Sequence, residues 1–202
     1  MKIGPRYKKA RRLGSYIFEN TSTPKFSAHL TKKKANPDGI RAKTDYGNLL
    51  LDKQRVRVYY GANERQFKAL VNKVIAEGSL KPADRLYEIL ESRLDNVVLR
   101  GGLANTRALA RQLTVHGHIM VNGKKARVPS MILRKGDKVS IRPESTKTKV
   151  FANLDERLKT INELSWLKID KDIKVITIEG APKSLPGESK LNLASVIQYY
   201  RR

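Results

Sequence analysis

Basic side chains are concentrated in one short motif, TRALARQLTVHGHIMVNGKKARV, which spans Thr106–Val128. Arg107 and Arg111 are four residues apart in its first half, and Lys124 and Lys125 stand in its second half. A guanidinium group is a planar fork that matches a phosphate, and an ammonium group is a mobile point charge. A group of arginines and lysines can bind the phosphates of a nucleic-acid backbone without reading its sequence, so the motif predicts phosphate binding.

The first half of the motif has the pattern of an amphipathic helix. Asn105 or Thr106 can cap its start, and Gly117 can end it. Leu109 and Leu113 share one face of this helix, while the two arginines share another. We therefore expect the leucine face to pack against a core and the arginine face to stay available to a partner.

The second half of the motif has the pattern of a β-hairpin. Residues 118–121 read HIMV, a short strand, and Asn122-Gly123 is a preferred dipeptide of the type I′ turn. The turn returns the lysines, together with Arg127, beside the helix. Another turn at residues 135–137 leads into a strand that reads KVSIR.

Apolar spacing predicts the remaining elements. One helix is expected at 46–60, and a second is expected to begin after a cap at Asn63. A third follows the apolar stripe from Leu86 through Val97 to Gly101-Gly102, and two more begin at Asn153 and Leu193. Strands are expected at 166–170 and 174–178.

The charge balance of the whole chain also indicates a polyanionic partner. The chain has 202 residues, with 42 Lys and Arg against 19 Asp and Glu, and a formal net charge of +23. The excess is segregated, because residues 1–45 hold 12 basic and 3 acidic side chains and residues 92–150 hold 13 and 3. A surface that only needs solubility mixes both signs more evenly. Nucleic acid, an anionic membrane or an acidic protein would each supply the counter-charge.

Few residues suit catalysis or metal binding. The chain has no cysteine, which excludes disulfides, thiolate zinc sites and a cysteine nucleophile. His116 and His118 offer two possible ligands, whereas a zinc site needs three or four. Asp95 follows Arg93-Leu94, and we interpret it as a helix aspartate paired with a neighbouring arginine. The sequence therefore predicts no enzyme, no catalytic residue, no metal and no cofactor.

Residues 93–142, RLDNVVLRGGLANTRALARQLTVHGHIMVNGKKARVPSMILRKGDKVSIR, closely resemble the RNA-binding domain founded by the small-subunit ribosomal protein numbered four. Residues 45–67, DYGNLLLDKQRVRVYYGANERQF, and residues 4–14, GPRYKKARRLG, resemble the same family. The segments WLKID and VIQYY are similar to its C-terminal part. The resemblance covers nearly the whole chain.

The resemblance implies an α+β fold. It consists of a helical domain and a small mixed α/β RNA-binding domain, in which a helix pair packs on a short twisted sheet. A basic N-terminal arm is expected at 1–45 and the helical domain at 46–91, completed by a C-terminal helix at 181–202. The RNA-binding domain is expected at 92–180, with its core motif at 93–150.

The resemblance also implies a structural constituent of the small ribosomal subunit. Such a protein binds 16S-type rRNA directly at a multi-helix junction, nucleates early assembly, and lies where mRNA enters and decoding accuracy is set. The implied partners are this rRNA, neighbouring small-subunit proteins, especially number five, and mRNA, with no membrane. The implied location is the cytoplasmic ribosome, with an organellar ribosome as the open alternative.

The family's rRNA contacts carry over to particular positions of this chain. They are Arg6, Lys8, Lys9, Arg11, Arg12, Arg41, Lys43, Lys53, Gln54, Arg55, Arg57, Arg93, Arg107, Arg111, Gln112, His116, Asn122, Lys124 and Lys125. The chain departs from many relatives in two places. It lacks the four N-terminal cysteines that bind zinc in them, and residues 36–40, NPDGI, replace their Pro-Gly-Gln-His-Gly loop.

Two rival functions stay open at this point. Certain pseudouridine synthases carry the same RNA-binding domain and an aspartate after Arg-Leu, as in Arg93-Leu94-Asp95, but Asn96-Val97-Val98 follows here instead of Thr/Ser-Gly. A general nucleoid or membrane-surface binder would use the positive charge alone.

Overall fold

The computed structural model describes residues 4–21, 23–34, 44–162, 164–183 and 191–201. Contacts divide the chain into a helical unit, Met1–Leu86 with Leu185–Arg202, and a sheet unit, Tyr87–Ser184. The α+β fold class is confirmed. The arm and domain boundaries given above stay a prediction.

The described segments contain both helices and strands in chain order. The helices are α1 (Arg6–Leu13), α2 (Pro24–Lys34), α3 (Asp45–Tyr59), α4 (Glu64–Ala76), α5 (Pro82–Glu91), α6 (Leu94–Arg100), α7 (Arg107–Val115), α8 (Leu154–Thr160) and α9 (Leu193–Arg201). The strands are β1 (Ile119–Val121), β2 (Lys124–Ala126), β3 (Lys138–Ile141), β4 (Leu167–Asp170) and β5 (Val175–Ile178). Short 3-10 turns occur at Ser15–Ile17, Glu19–Thr21, Pro143–Ser145 and Lys149–Phe151.

All five strands form one antiparallel sheet in the sheet unit, in the order β2-β1-β3-β5-β4. Val121 pairs with Lys124 across the predicted two-residue turn. Asn122 and Gly123 both have positive φ, at 50° and 76°, as a type I′ turn requires. The β1–β2 hairpin is thereby confirmed, and it lies at one edge of the sheet.

A single apolar core holds the sheet unit together. Leu94 and Val97 of α6, Leu113 of α7 and Leu158 of α8 are buried against the sheet residue Ile176. Burying side chains of this size contributes roughly 1.5–3 kcal/mol each. The leucine face of α7 therefore packs on the core, as its spacing predicts.

One predicted helix is wrong. The apolar stripe from Leu86 to Val97 indicated one continuous helix, but the structure breaks it between α5 and α6. Arg93 is extended there, with φ −68° and ψ 140°, and forms an antiparallel bridge with Ile132. The loop carbonyls of Met131 and Pro129 accept hydrogen bonds from the first two amides of α6, at 2.8 and 3.0 Å. A helix start needs such acceptors for its orphan amides, so the loop fixes the break.

In the helical unit, α1 and α3 share a core. Ala10 and Leu13 of α1 are buried with Leu51 and Val58 of α3. Asn63 caps α4 as predicted, because its Oδ1 accepts a hydrogen bond from the Gln66 amide at 2.8 Å. No helix within the described ranges combines the length and the apolar character that a membrane span requires.

Candidate nucleic-acid interface

Helix α7 positions Arg107 and Arg111, the two arginines of the motif at Thr106–Val128. Thr106 begins it by accepting a hydrogen bond from the Leu109 amide at 3.2 Å. Arg107 Nη2 donates to Asn96 Oδ1 at 3.2 Å, and Arg111 Nη1 donates to Asp95 Oδ2 at 3.3 Å. The arginine face of α7 is partly available, because α6 presents polar side chains to it while the Arg111 side chain stays 32% exposed.

Two buried carboxylates organise this cluster of arginines. Asp95 accepts two hydrogen bonds from Arg93, at 3.0 and 2.8 Å. Glu91, which is 1% exposed, accepts two from Arg100, at 2.9 and 3.0 Å, and one from Asn96 at 2.6 Å. Bidentate pairs of this kind fix the plane of a guanidinium group. Arginine side chains are therefore held in defined orientations before any partner binds.

The pairing of Asp95 with neighbouring arginines matches the interpretation made from the sequence. Its side chain is 8% exposed, whereas those of Arg111 and Arg100 are each 32% exposed. The carboxylates lie inside the unit, Arg93 is buried with Asp95, and Arg111 and Arg100 extend toward the surface.

The β1–β2 hairpin brings lysine next to the end of α7. Helix α7 ends in a Schellman motif, in which the His118 amide donates to Leu113 O at 2.9 Å and the Gly117 amide to Thr114 O at 2.9 Å. Gly117 has φ +73°, and a Cβ there would meet Lys125 Cε at 2.1 Å. The Lys125 stem thus crosses the C-terminal end of α7, where the helix dipole favours a cation.

The polar positions carried over by the resemblance have different surroundings. Gln112, His116 and Lys124 are exposed. The Asn122 side chain instead supports its own turn, because it donates to Asp137 Oδ1 at 2.8 Å and accepts from the Lys138 amide at 2.9 Å. No group of three or more potential metal ligands occurs among the described residues.

In the helical unit, α3 uses several of its cations internally. Lys53 Nζ lies 2.6 Å from Glu64 Oε1 and 4.7 Å from the ring centre of Tyr199. Arg57 donates to Gln54 Oε1 at 3.1 and 2.7 Å, and its Nε lies 3.1 Å from Glu64 Oε2.

Arg55 and α1 complete the predicted set in this unit. Arg55 pairs with Asp52 at 2.6 Å and donates to Leu13 O at 2.9 Å. The residues Arg6, Lys8, Arg11 and Arg12 of α1 are exposed, and Lys9 is half-buried. Arg41 and Lys43 lie outside the described residues.

The Lys53 cluster changes two pKa values. Burial raises the pKa of Glu64, but the hydrogen bond from Lys53 and the charges of Lys53 and Arg57 outweigh it, so the net shift is below the ordinary value of 4.5. Burial, followed by the Glu64 charge and hydrogen bond, raises the pKa of Tyr200 above its ordinary value. Both pKa shifts favour the state in which Glu64 is ionised and the neighbouring Tyr200 hydroxyl keeps its proton.

Both units match known domains. Residues 92–139 match the S4 domain, and residues 1–95 match the Ribosomal protein S4/S9 N-terminal domain. Over 202 residues the chain is 37% identical to the small ribosomal subunit protein uS4 of Sulfurihydrogenibium sp. (strain YO3AOP1), with 98% of this chain and 97% of that one covered. This chain belongs to the uS4 family.

Other uS4 relatives show similar identity over nearly the whole chain. The protein of Roseiflexus castenholzii is 37% identical over 203 residues, covering 99% of this chain and 98% of its own. That of Borreliella burgdorferi (strain ZS7) is 34% identical over 202 residues, covering 96% and 95%. The family resemblance stated from the sequence is therefore confirmed. The uS4 family is one of structural, non-enzymatic ribosomal proteins.

Glu91 and Arg100 belong to the cluster of paired arginines in the candidate interface, and sequence reasoning missed both. Glu91 ends α5 and Arg100 ends α6, and their pairing depends on the break between the two helices. A buried glutamate within an apolar stripe was the available signal, because charged residues are almost never fully buried unless paired.

Proposed function

We propose that this chain binds small-subunit rRNA directly through two sets of exposed cations. The observation that carries the proposal is the Lys125 stem crossing the end of α7 at Gly117, in a member of the uS4 family. The crossing puts hairpin lysines next to the helix that bears Arg111. The exposed basic face of α1 supplies the second set.

The resemblance to the same family supports a finer proposal. We propose that the protein binds a multi-helix junction early, nucleates assembly, and lies near the site where mRNA enters, beside small-subunit protein number five. Arg41 and Lys43 are our candidates for contacts in that region. Lys53 and Arg93 also stay predicted contacts, although their charged groups are buried in internal pairs.

Binding titrations with the full chain test the direct contact. The RNA is a transcript of the small-subunit rRNA junction, and the competitors are duplex DNA of equal length and anionic lipid vesicles. Binding by a protein that neutralises phosphates weakens linearly with the logarithm of salt concentration. Arg111→Gln is expected to weaken junction binding and to reduce that slope by about one unit.

The matched control is Lys168→Gln, which removes one charge from an exposed position of β4. It is expected to keep the wild-type slope. Equal affinity for the junction, the duplex and the vesicles would refute rRNA recognition and favour a binder that uses charge alone. Footprinting on whole small-subunit rRNA, with no other protein present, then tests whether binding precedes the rest of assembly.

A further inference from the structure

A cleft of about 550 Å³ opens between α1 and α3 in the helical unit. Its apolar wall consists of Leu13 from α1 and Leu50, Leu51 and Val58 from α3. Ligand sites in proteins usually occupy about 300–1,000 Å³ and combine an apolar lining with a few placed polar groups. We call this site the α1–α3 cleft.

The polar groups of the α1–α3 cleft are cations and one amide. Lys9 and Arg12 line it from α1, and Gln54 and Arg57 line it from α3. No carboxylate occurs among the described residues that line it. The site therefore favours a ligand that carries negative charge.

The amide in the α1–α3 cleft has a fixed role. Gln54 Oε1 accepts both hydrogen bonds from Arg57, at 3.1 and 2.7 Å. With its oxygen used in this way, the Gln54 side chain presents its NH₂ group as a donor. The same pair orients the Arg57 guanidinium group at the cleft.

An apolar wall next to cations suits a nucleotide that has left its stack. Proteins that recognise RNA commonly take up unstacked bases, which stack on aromatic rings or arginine planes while the phosphates meet arginine or lysine. The α1–α3 cleft offers the oriented Arg57 guanidinium group and apolar side chains for the same purpose. A regular RNA helix exposes phosphates but keeps its bases stacked, so it would leave the apolar wall uncovered. An apolar side chain of another protein would leave Arg12, an exposed cation of the cleft lining, without an anion.

We propose that the α1–α3 cleft receives one unstacked nucleotide of the bound RNA. Its base packs on Leu13, Leu50 and Val58, the Gln54 NH₂ group donates to a base acceptor, and its phosphate lies beside Arg12. The inference rests on the proposed function and adds a site for a single base to the backbone contacts.

An abasic scan of the junction RNA tests this proposal. Each unpaired nucleotide within the footprint is replaced in turn by an abasic one, and binding of the full-length wild-type chain is titrated. One position is expected to lose about tenfold in affinity, since a packed base is worth a factor of that order. With 2-aminopurine at that position, fluorescence is expected to rise on binding because the base unstacks.

Leu50→Trp fills the cleft without changing its charge. It is expected to weaken binding of unmodified RNA by a similar factor, to leave the salt slope unchanged, and to be insensitive to the abasic replacement that affects the wild type. Leu70→Trp is the matched control, because Leu70 is also a half-buried helical leucine of this unit but lies outside the cleft lining. It is expected to keep the wild-type pattern.

The outcomes separate this inference from the proposed function. Tight wild-type binding with no sensitive abasic position, or with no fluorescence rise, overturns the nucleotide site alone. Wild-type affinity of Leu50→Trp for the RNA also overturns it and indicates a protein ligand instead. Failure of the wild type to prefer the junction refutes the proposed function and the nucleotide site together.

Discussion

The helical unit and the sheet unit both bury charged side chains, but where only one partner of an ion pair is buried, that partner has opposite sign in the two units. In the helical unit the buried group is Lys53, whose side chain is 8% exposed, and its partner Glu64 is 48% exposed. In the sheet unit the carboxylates Asp95 and Glu91 are buried, and although Arg93 is buried with Asp95, the other arginine partners, Arg111 and Arg100, extend from the carboxylates toward solvent. The Lys53–Glu64 pair points its cation inward, and the Asp95–Arg111 and Glu91–Arg100 pairs point their cations outward.

This difference predicts different roles for the buried charges of the two units, in stability for the helical unit and also in RNA binding for the sheet unit. The Lys53 cluster joins α3 to α4 through Glu64 and to α9 through the ring of Tyr199. Its charge is therefore expected to stabilise helix packing. The carboxylates of the sheet unit hold arginines in a defined geometry, and losing them is expected to affect both folding and RNA affinity.

The largest effect is expected from Asp95→Asn. This change leaves the Arg93 guanidinium group, in a side chain that is 5% exposed, without its carboxylate. Breaking a buried pair in this way typically costs about 3–5 kcal/mol. Urea denaturation of the full chain measures it.

Asp155→Asn is the matched control for Asp95→Asn. Asp155 pairs with Lys174 at 2.8 Å, but its side chain is 66% exposed. Exposed pairs of this kind contribute roughly 0–1 kcal/mol, so this variant is expected to unfold close to the wild type. Equal losses in the two variants would show that burial does not distinguish the two carboxylates.

A smaller loss, about 1–2 kcal/mol, is expected from Lys53→Met. The cation between Glu64 and the two C-terminal tyrosines is lost, but Glu64 keeps Arg57 and partial access to water. Lys68→Met, at an exposed position of α4, is the control and is expected to unfold like the wild type. A loss as large as that of Asp95→Asn would remove the contrast between the two units.

A fall in pH is expected to reduce the contribution that the Lys53 cluster makes to stability. Because the pKa of Glu64 is lowered in the folded protein, its contribution to stability is fully present above the ordinary pKa of 4.5. That contribution is lost as the pH falls through the folded-state pKa. The stability difference between the wild type and Glu64→Gln should therefore be constant from about pH 7 to 5 and shrink toward pH 3. A difference that grows in acid would contradict the assigned direction.

The smallest stability effect is expected at the hairpin. Lys124 and Lys125 are exposed, so replacing both by glutamine should change the free energy of unfolding by less than about 0.5 kcal/mol. The salt slope of RNA binding should fall by about two units, one for each phosphate contact. The control removes equal charge at exposed Lys159 and Lys168. A similar fall in slope for the control would indicate a diffuse charge effect.

The predictable parts of the fold are those specified by neighbouring residues. The Asn63 cap, the Gly117 helix end and the Asn122-Gly123 turn are local signals, and the structure contains all three. The break at Arg93 was not predictable, because the acceptors that cap α6 belong to a loop more than thirty residues later.

The residue types of the candidate site were predictable from the sequence, but the exposure of their side chains was less predictable. The Arg93–Asp95 pair was predictable because its two residues are neighbours in the sequence, but Glu64 is identified as the partner of Lys53 only once α3 and α4 are packed. The α1–α3 cleft likewise has no local signal, since α1 and α3 supply its walls from separate stretches of chain.

The helical unit is built from two stretches of chain, and the whole sheet unit is encoded between them. During synthesis, α3 leaves the translating ribosome more than 130 residues before α9, the helix whose tyrosines stack with Tyr46 and with Lys53. At about 5–20 residues per second, the nascent chain waits on the order of ten seconds for that helix. The last strand of the sheet unit ends at Ile178, shortly before α9 begins, so the face of α3 that α9 covers stays uncovered until synthesis is nearly finished.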